Sequence, residues 1–262
     1  MKRLLIAVLL VGLALAAVSA SEAEVIQKGN LRVKFDADFI PHQLPRTHPA
    51  PVQIEIRGEI ATTDGSHPPP LQRLEVELNR NGKLSTVGLP TCSAPLLQST
   101  TTGQALQRCS AAVVGGGSFS AVVALSGDVP ASGRVIAFNS RLHGKPALLL
   151  HFFAQVPVRF TLVVPLTIAK HSGEFGTLLR TRVPQLAGGL GSITRIDLKI
   201  GRRYSFAGKR RSYVSAACSA PTAFTLAPFL FARARFRFES HPQIDSKILT
   251  FCRVRPQTKR GA

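Results

Sequence analysis

Residues Phe229–Glu239 read FLFARARFRFE and lie between two cysteines, Cys218 and Cys252. Side chains of a β-strand point alternately to the two faces of a sheet, so this alternation predicts a half-buried strand with arginines in water. The predicted apolar face consists of Leu230, Ala232, Ala234, Phe236 and Phe238. The arginine row consists of Arg233, Arg235 and Arg237.

The same alternation recurs along most of the chain and is clearest at Leu31–Phe39 and Ser192–Ile200. Roughly a dozen short strands separated by turn signals predict an all-β protein, an antiparallel β-sandwich of one large or two packed β-modules. A parallel α/β fold is disfavoured because helices do not alternate with the strands. We expect a single exported domain; if there are two modules, the boundary is expected near Gly127–Gly133.

One segment has helical rather than strand periodicity. Residues Thr100–Gly103 are suited to cap a helix, and Gln104–Ala112 contains neither glycine nor proline. The pattern predicts one short helix near residues 103–112, ended by the three glycines Gly115–Gly117. These glycines do not form a phosphate-binding loop, because no Lys-Ser/Thr follows them.

The N-terminus has the pattern of an export signal. Lys2 and Arg3 precede the apolar run Leu4–Ala17, and Val18–Ala20 fits a small-residue cleavage site. We expect residues 1–20 to be removed and residues 21–262 to be secreted or retained in the cell envelope. An uncleaved membrane anchor is the competing interpretation, and the short apolar run disfavours it.

Four cysteines in an exported chain predict two disulfides, for which three connectivities exist. We favour Cys92–Cys109 and Cys218–Cys252, because local pairs suit a chain of sequential strands. In the chain-entropy model these loops contribute about 3 and about 4 kcal/mol. A zinc site is disfavoured, because the sequence has no C-x-x-C spacing and no His-Cys cluster.

The formal net charge of +19 predicts attraction to anionic polymers and anionic membranes. The strongest candidate for a binding site is Gly201–Tyr213, where cations are interleaved with aromatic residues. Its candidate residues are Arg202, Arg203, Tyr204, Lys209, Arg210, Arg211 and Tyr213. If the strands are neighbours, the arginine row extends this patch. The competing interpretation places the aromatic side chains in the core and the cations in water.

Other reaction chemistry finds little support. The seven histidines form no metal-binding motif; His42, His48 and His67 lie among prolines and are the best candidates to meet in space. A glycosidase pair is possible in principle among Glu55, Glu59, Glu75 and Glu77. Outward alternation on strands explains these carboxylates better, and no G-x-S-x-G elbow is present. We therefore expect no catalytic residue, no metal and no cofactor.

Several strings resemble an uncharacterised family of exported actinobacterial proteins. They are Gln27–Phe35 (QKGNLRVKF), Ala61–Gly65 (ATTDG), Asn79–Gly82 (NRNG), Gly88–Cys92 (GLPTC), Ala137–Asn139 (AFN), Gly173–Leu179 (GEFGTLL) and Gly208–Cys218 (GKRRSYVSAAC). The resemblance implies a β-rich secreted or envelope protein and no particular activity.

The combined expectation is a non-enzymatic exported protein that binds anionic cell-wall polymer or a membrane surface; the sequence contains no specific nucleic-acid motif. The alternatives are an envelope carbohydrate-active enzyme and a structural subunit of a surface assembly.

Overall fold

A computed structural model describes residues 23–157 and 159–256. Within these ranges the chain is built mainly from β-strands, so the predicted all-β class is confirmed. The strands are β1 Glu24–Lys28, β2 Leu31–Ile40, β3 Gln43–Leu44, β4 Ala50–Pro51, β5 Gln53–Thr62, β6 Leu71–Asn79, β7 Gly82–Leu84, β8 Val113–Ala124, β9 Asp128–Leu142, β10 Lys145–Ala154, β11 Phe160–Lys170, β12 Phe175–Arg182, β13 Gly191–Ile200, β14 Arg203–Phe206, β15 Lys209–Ser212, β16 Val214–Ala216, β17 Leu226–Phe238 and β18 Ile244–Val254. The helices are α1 Ala94–Leu97 and α2 Thr102–Cys109, with 3-10 turns at Ser110–Ala112 and Ala187–Gly189.

Thirteen strands form one large sheet in the order β1-β2-β5-β13-β8-β9-β10-β11-β12-β6-β17-β18-β3. Its strand pairs are antiparallel except for β18 with β3. Two small sheets complete the fold, β14-β15 and β4-β16-β7. The segment Gly127–Gly133 leads into and begins β9, and strands from both sides of it belong to the large sheet.

The large sheet curls, so that strands near its two edges contact each other. Phe35 in β2 and Phe236 in β17 meet with ring centroids 5.6 Å apart. The Glu24 carboxylate in β1 accepts hydrogen bonds from the Ser246 hydroxyl and the Lys247 backbone N–H in β18. The two layers expected of a sandwich are thus two halves of one continuous sheet, which face each other across an apolar interior.

Strand β17 has the predicted alternation with one exception. Ala232, Ala234, Phe236 and Phe238 are buried. A β-bulge at Phe231 shifts the register, and Leu230 pairs with the exposed Leu249 of β18. The prediction that Leu230 shares the buried face is therefore wrong, because the extra residue of a bulge reverses the alternation on one side of it.

The predicted short helix is confirmed as α2. Thr101 and Gln104 form a capping box, in which each side chain accepts a hydrogen bond from the other residue's backbone N–H. Leu97, Ala105, Phe138 and Leu149 are buried together where α1 and α2 cover the outer face of β9 and β10. The Cys92–Cys109 disulfide attaches this cover to the preceding segment.

The prediction that Gly115–Gly117 ends the helix is wrong. The helix ends at Cys109, and all three glycines lie inside β8. A Cβ atom at Gly117 would lie 1.8 Å from the backbone oxygen of Asp197 in β13, and one at Gly115 would lie 2.2 Å from that of Lys199. Glycine is needed at positions 115 and 117 because the backbones of β8 and β13 approach closely there.

The second disulfide joins Cys218 to Cys252 in β18, so both favoured pairs are present. Two disulfides indicate an oxidising compartment. Across residues 23–157 and 159–256, no helix is long and apolar enough to cross a membrane. The predicted signal peptide lies outside the described residues.

Candidate functional site

The basic stretch folds into the hairpin β14–β15, with Ala207 and Gly208 at its turn. Both turn residues have positive φ values, 50° and 70°, as a tight two-residue hairpin turn requires. Cross-strand partners share a face of the hairpin. The register pairs Tyr204 with Arg211 and Phe206 with Lys209 on one face. Arg203, Ser205, Arg210 and Ser212 therefore share the opposite face.

The aromatic face lies against the segment before α1. The Tyr204 hydroxyl donates a hydrogen bond to the Val87 carbonyl at 2.7 Å. The Phe206 ring lies so close to Gly88 that a Cβ there would be 2.1 Å from it. The Arg211 guanidinium lies 5.7 Å from the centroid of the Phe206 ring, in range of a cation–π contact. These contacts fix the hairpin's orientation.

Two residues at the base of the hairpin have structural roles. Arg202 donates to the carbonyls of Ala111 and Val113, at 2.6 and 2.9 Å, and so joins the hairpin to the turn that follows α2. Tyr213 is fully buried in the core, and burial raises the pKa of its phenol. Tyr213 therefore belongs to the core, as the competing interpretation of this stretch expects, and is not part of a binding surface.

Three cations remain in solvent. The side chains of Arg203, Lys209 and Arg210 are exposed, and among the described residues none has a hydrogen-bond or ion-pair partner. Arg203 and Arg210 lie on the same face of the hairpin, on opposite strands, and the pair Tyr204–Arg211 lies between their positions along the hairpin. Lys209 lies on the other face, directly after the turn. We call Arg203, Lys209 and Arg210, the three exposed cations of this hairpin, the cationic hairpin cluster.

The arginine row is not part of this cluster. It lies on β17 in the large sheet, beside β6, and no strand pair links β17 to the hairpin within the described ranges. Arg233 and Arg235 form ion pairs with Glu77, and Arg235 also pairs with Glu75 at 3.1 Å. Arg237 donates to the Gln243 side chain. Carboxylates on the neighbouring strand thus neutralise most of the row.

Glu77 is the most buried charged residue of this network, with 2% of its surface exposed. Burial alone would raise the pKa of its carboxyl, but the hydrogen bond and charge of Arg233, with the charges of Arg235 and His171, lower it below its usual value. Arg233 also lies 4.8 Å from the centroid of the Phe175 ring. The network therefore holds β6, β12 and β17 together.

The remaining polar candidates are dispersed. No group of three or more ligating side chains occurs in the part of the chain that the structure describes, so His42, His48 and His67 form no metal site there. His42 contacts Asp38 and His67 contacts Asp128. His151 is buried, with its Nε2 3.0 Å from the Thr100 hydroxyl, and burial lowers its pKa. Glu55 is paired with Lys199 at 2.7 Å.

A cavity inside the curled sheet is the feature that sequence reasoning missed. It measures about 210 Å³ and is lined mainly by aliphatic side chains from both halves of the sheet. Alternation identifies inward-facing residues but does not tell a filled interior from a hollow one, so no sequence signal was available.

No protein-family model, curated protein or solved structure matches this chain. The likeness to exported actinobacterial proteins stays an expectation that rests on the sequence strings.

Proposed function

We propose that this is an exported, non-enzymatic protein of the cell envelope that binds an anionic envelope polymer through its cationic hairpin cluster. The observation that carries the proposal is the contrast between two sets of cations. The β17 row is neutralised by Glu75 and Glu77, whereas Arg203, Lys209 and Arg210 have no described partner. The two disulfides support the extracellular location.

A polymer fits the cluster better than a bilayer does. The face that carries Arg203 and Arg210 also carries the exposed Ser205, so it offers cations and a hydroxyl without a large apolar side chain. The fourth residue of this face, Ser212, donates its hydroxyl to the Val214 carbonyl at 2.6 Å. Guanidinium groups bind phosphate or carboxylate oxygens in two-pronged geometry, and hydroxyls add hydrogen bonds. A surface that inserts into lipid would need apolar side chains on the same face.

The test is a triple charge reversal, Arg203→Glu, Lys209→Glu and Arg210→Glu. We expect the disulfide-bonded protein to bind poly(glycerol phosphate) saturably at physiological ionic strength, and the triple variant to lose that binding. Measurements across a salt series separate a dedicated site from general attraction, because non-specific binding falls steeply as salt rises. Dextran serves as the neutral ligand and anionic phosphatidylglycerol vesicles as the membrane ligand.

The matched control reverses three exposed cations elsewhere, Arg32→Glu, Arg134→Glu and Lys145→Glu. It changes the net charge by the same amount but leaves the hairpin intact. Equal losses in the two variants would show that only total charge matters. Preferential binding to the vesicles would replace the polymer with a membrane as the partner. Either result overturns the proposal.

A further inference from the structure

The cavity is unusual for a protein interior because its walls do not touch across it. Protein interiors contain few voids larger than a water molecule, since aliphatic side chains normally interdigitate. Here Ile56, Leu74, Val76 and Ile196 line the cavity and remain partly accessible, although they occupy inward positions on their strands. The volume of about 210 Å³ exceeds that of apolar cavities of about 150 Å³ that bind benzene.

The two ends of the cavity differ in exposure. At one end the lining residues Ile200, Tyr213 and Phe231 are buried, so this end is closed. At the other end the lining residues Gln72 and Gln185 are exposed and polar, so this end meets solvent. A ligand placed here would have its apolar part enclosed and its polar part at the open end.

Two chain connections cross the open end. Residues 63–70 lead from β5 to β6, and residues 183–190 lead from β12 to β13; in neither case are the two strands neighbours in the sheet. The Ser192 hydroxyl, at the start of β13, donates to the Pro68 carbonyl at 2.6 Å and so ties the first connection to the end of the second. Leu186, on the second connection, is buried and lines the cavity. Its side chain lies over Gly191, where a Cβ would be 2.7 Å away.

We infer that this cavity binds the single aliphatic chain of an amphiphile such as a fatty acid, with the polar group beside Gln72 and Gln185. The chemistry of the walls selects the occupant. Leucine, isoleucine and valine offer no hydrogen bonds to a sugar or a peptide, and burial of the chain's methylene groups is favourable in proportion to their area. The polar residues lie where the head of such a molecule would remain hydrated. The hairpin proposal and this one use different residues, so each can fail alone.

The test is titration of the delipidated, disulfide-bonded protein with octanoate, dodecanoate, palmitate and stearate by calorimetry, with native mass spectrometry for stoichiometry. We expect one molecule bound per chain. Affinity should rise with chain length until the closed end near Tyr213 is reached. Absence of saturable binding with all four ligands would overturn the inference.

A cavity-filling variant checks the location. Val76→Phe with Ile196→Phe places two rings in the void, and we expect binding weakened at least about tenfold because overpacked interiors reject further atoms. The control, Val25→Phe, adds a ring to an exposed position of β1 and should bind as the parent does. Circular dichroism verifies that each variant is folded. Unchanged binding by the folded double variant would contradict the site.

A milder variant covers the case in which the double variant does not fold. Leu186→Ala truncates a buried side chain that lines the cavity beside its open end, so we expect palmitate to dissociate several-fold faster. Unchanged dissociation would count against ligand passage at this end. The cationic hairpin variant should bind palmitate normally, which keeps this inference separate from the polymer proposal.

Discussion

At the residue scale, Glu77 links the stability of the fold to pH. Its carboxylate is buried beneath Arg233 and contacts Arg235 and His171. These cations hold its pKa below the value of about 4.3 that glutamate has in an unfolded chain. A lowered pKa in the folded state means that the stabilisation is present above the unfolded-state pKa and is lost as pH falls through the folded-state pKa.

Replacing Glu77 with glutamine should therefore lower the free energy of unfolding by about 2 kcal/mol at pH 7, because two arginines lose their charged acceptor. The difference between parent and variant should begin to shrink as pH falls below about 4.3, where the unfolded chain starts to take up a proton, and should be lost as pH falls through the lowered folded-state pKa. Urea unfolding across this range measures both effects. Glu239→Gln, at an exposed position, is the control. A constant difference at every pH would contradict the argument.

At the scale of single elements, the close approach of β8 and β13 depends on glycine. A Cβ at Gly117 would overlap the backbone oxygen of Asp197, whereas one at Gly116 would lie 3.3 Å from its nearest neighbours. Gly117→Ala should therefore cost about 3 kcal/mol of unfolding free energy, because one backbone must move. Gly116→Ala should cost clearly less, since its Cβ would lie 3.3 Å from the Ile136 side chain and the Val135 carbonyl oxygen, which is tight but does not overlap either atom. Equal losses, measured by urea unfolding, would contradict the close approach.

Local patterns in the sequence predicted most elements correctly. Strands such as β2 and β13 follow from apolar alternation, and α2 follows from a capping residue before a stretch without glycine or proline. The three glycines of β8 are an exception, because the local pattern predicts that they end a helix. Glycine does end helices, and only the neighbouring backbone shows that here it permits close strand packing.

At the scale of the whole molecule, the features that escaped prediction depend on contacts between distant segments. The sequence alone shows no ion-pair partner for the arginine row, but the sheet order places β6, with Glu75 and Glu77, beside β17. The cavity likewise arises because two halves of one sheet curl around a space that their side chains do not fill. Periodicity identifies a face of a strand and not its partner, so neither feature was visible before the topology.

The curl itself depends on contacts between the sheet edges. Glu24 in β1 accepts hydrogen bonds from Ser246 and Lys247 in β18, and Lys28 donates to the Gln243 carbonyl at 2.7 Å. The Ser246 hydroxyl is buried, so loss of its acceptor would leave a polar group without its partner. These bonds join strands that are far apart in the sheet order and thus hold the curled shape.

Glu24→Ala should remove the hydrogen bonds from Ser246 and Lys247 that join the sheet edges, without disturbing the centre of the sheet. We expect faster amide hydrogen exchange in β1 and along β18, and a loss of about 1–2 kcal/mol of unfolding free energy from the unpaired hydroxyl. Exchange in β9 and β10, which pair along their length in the middle of the sheet, should stay unchanged. Val25→Ala, an exposed position on the same strand, tests whether any truncation of β1 has this effect. If exchange in β1 and β18 were the same in Glu24→Ala as in the parent, strand pairing and core packing alone would maintain the curl. If exchange rose throughout the sheet, loss of the edge contacts would promote global unfolding rather than local opening of β1 and β18.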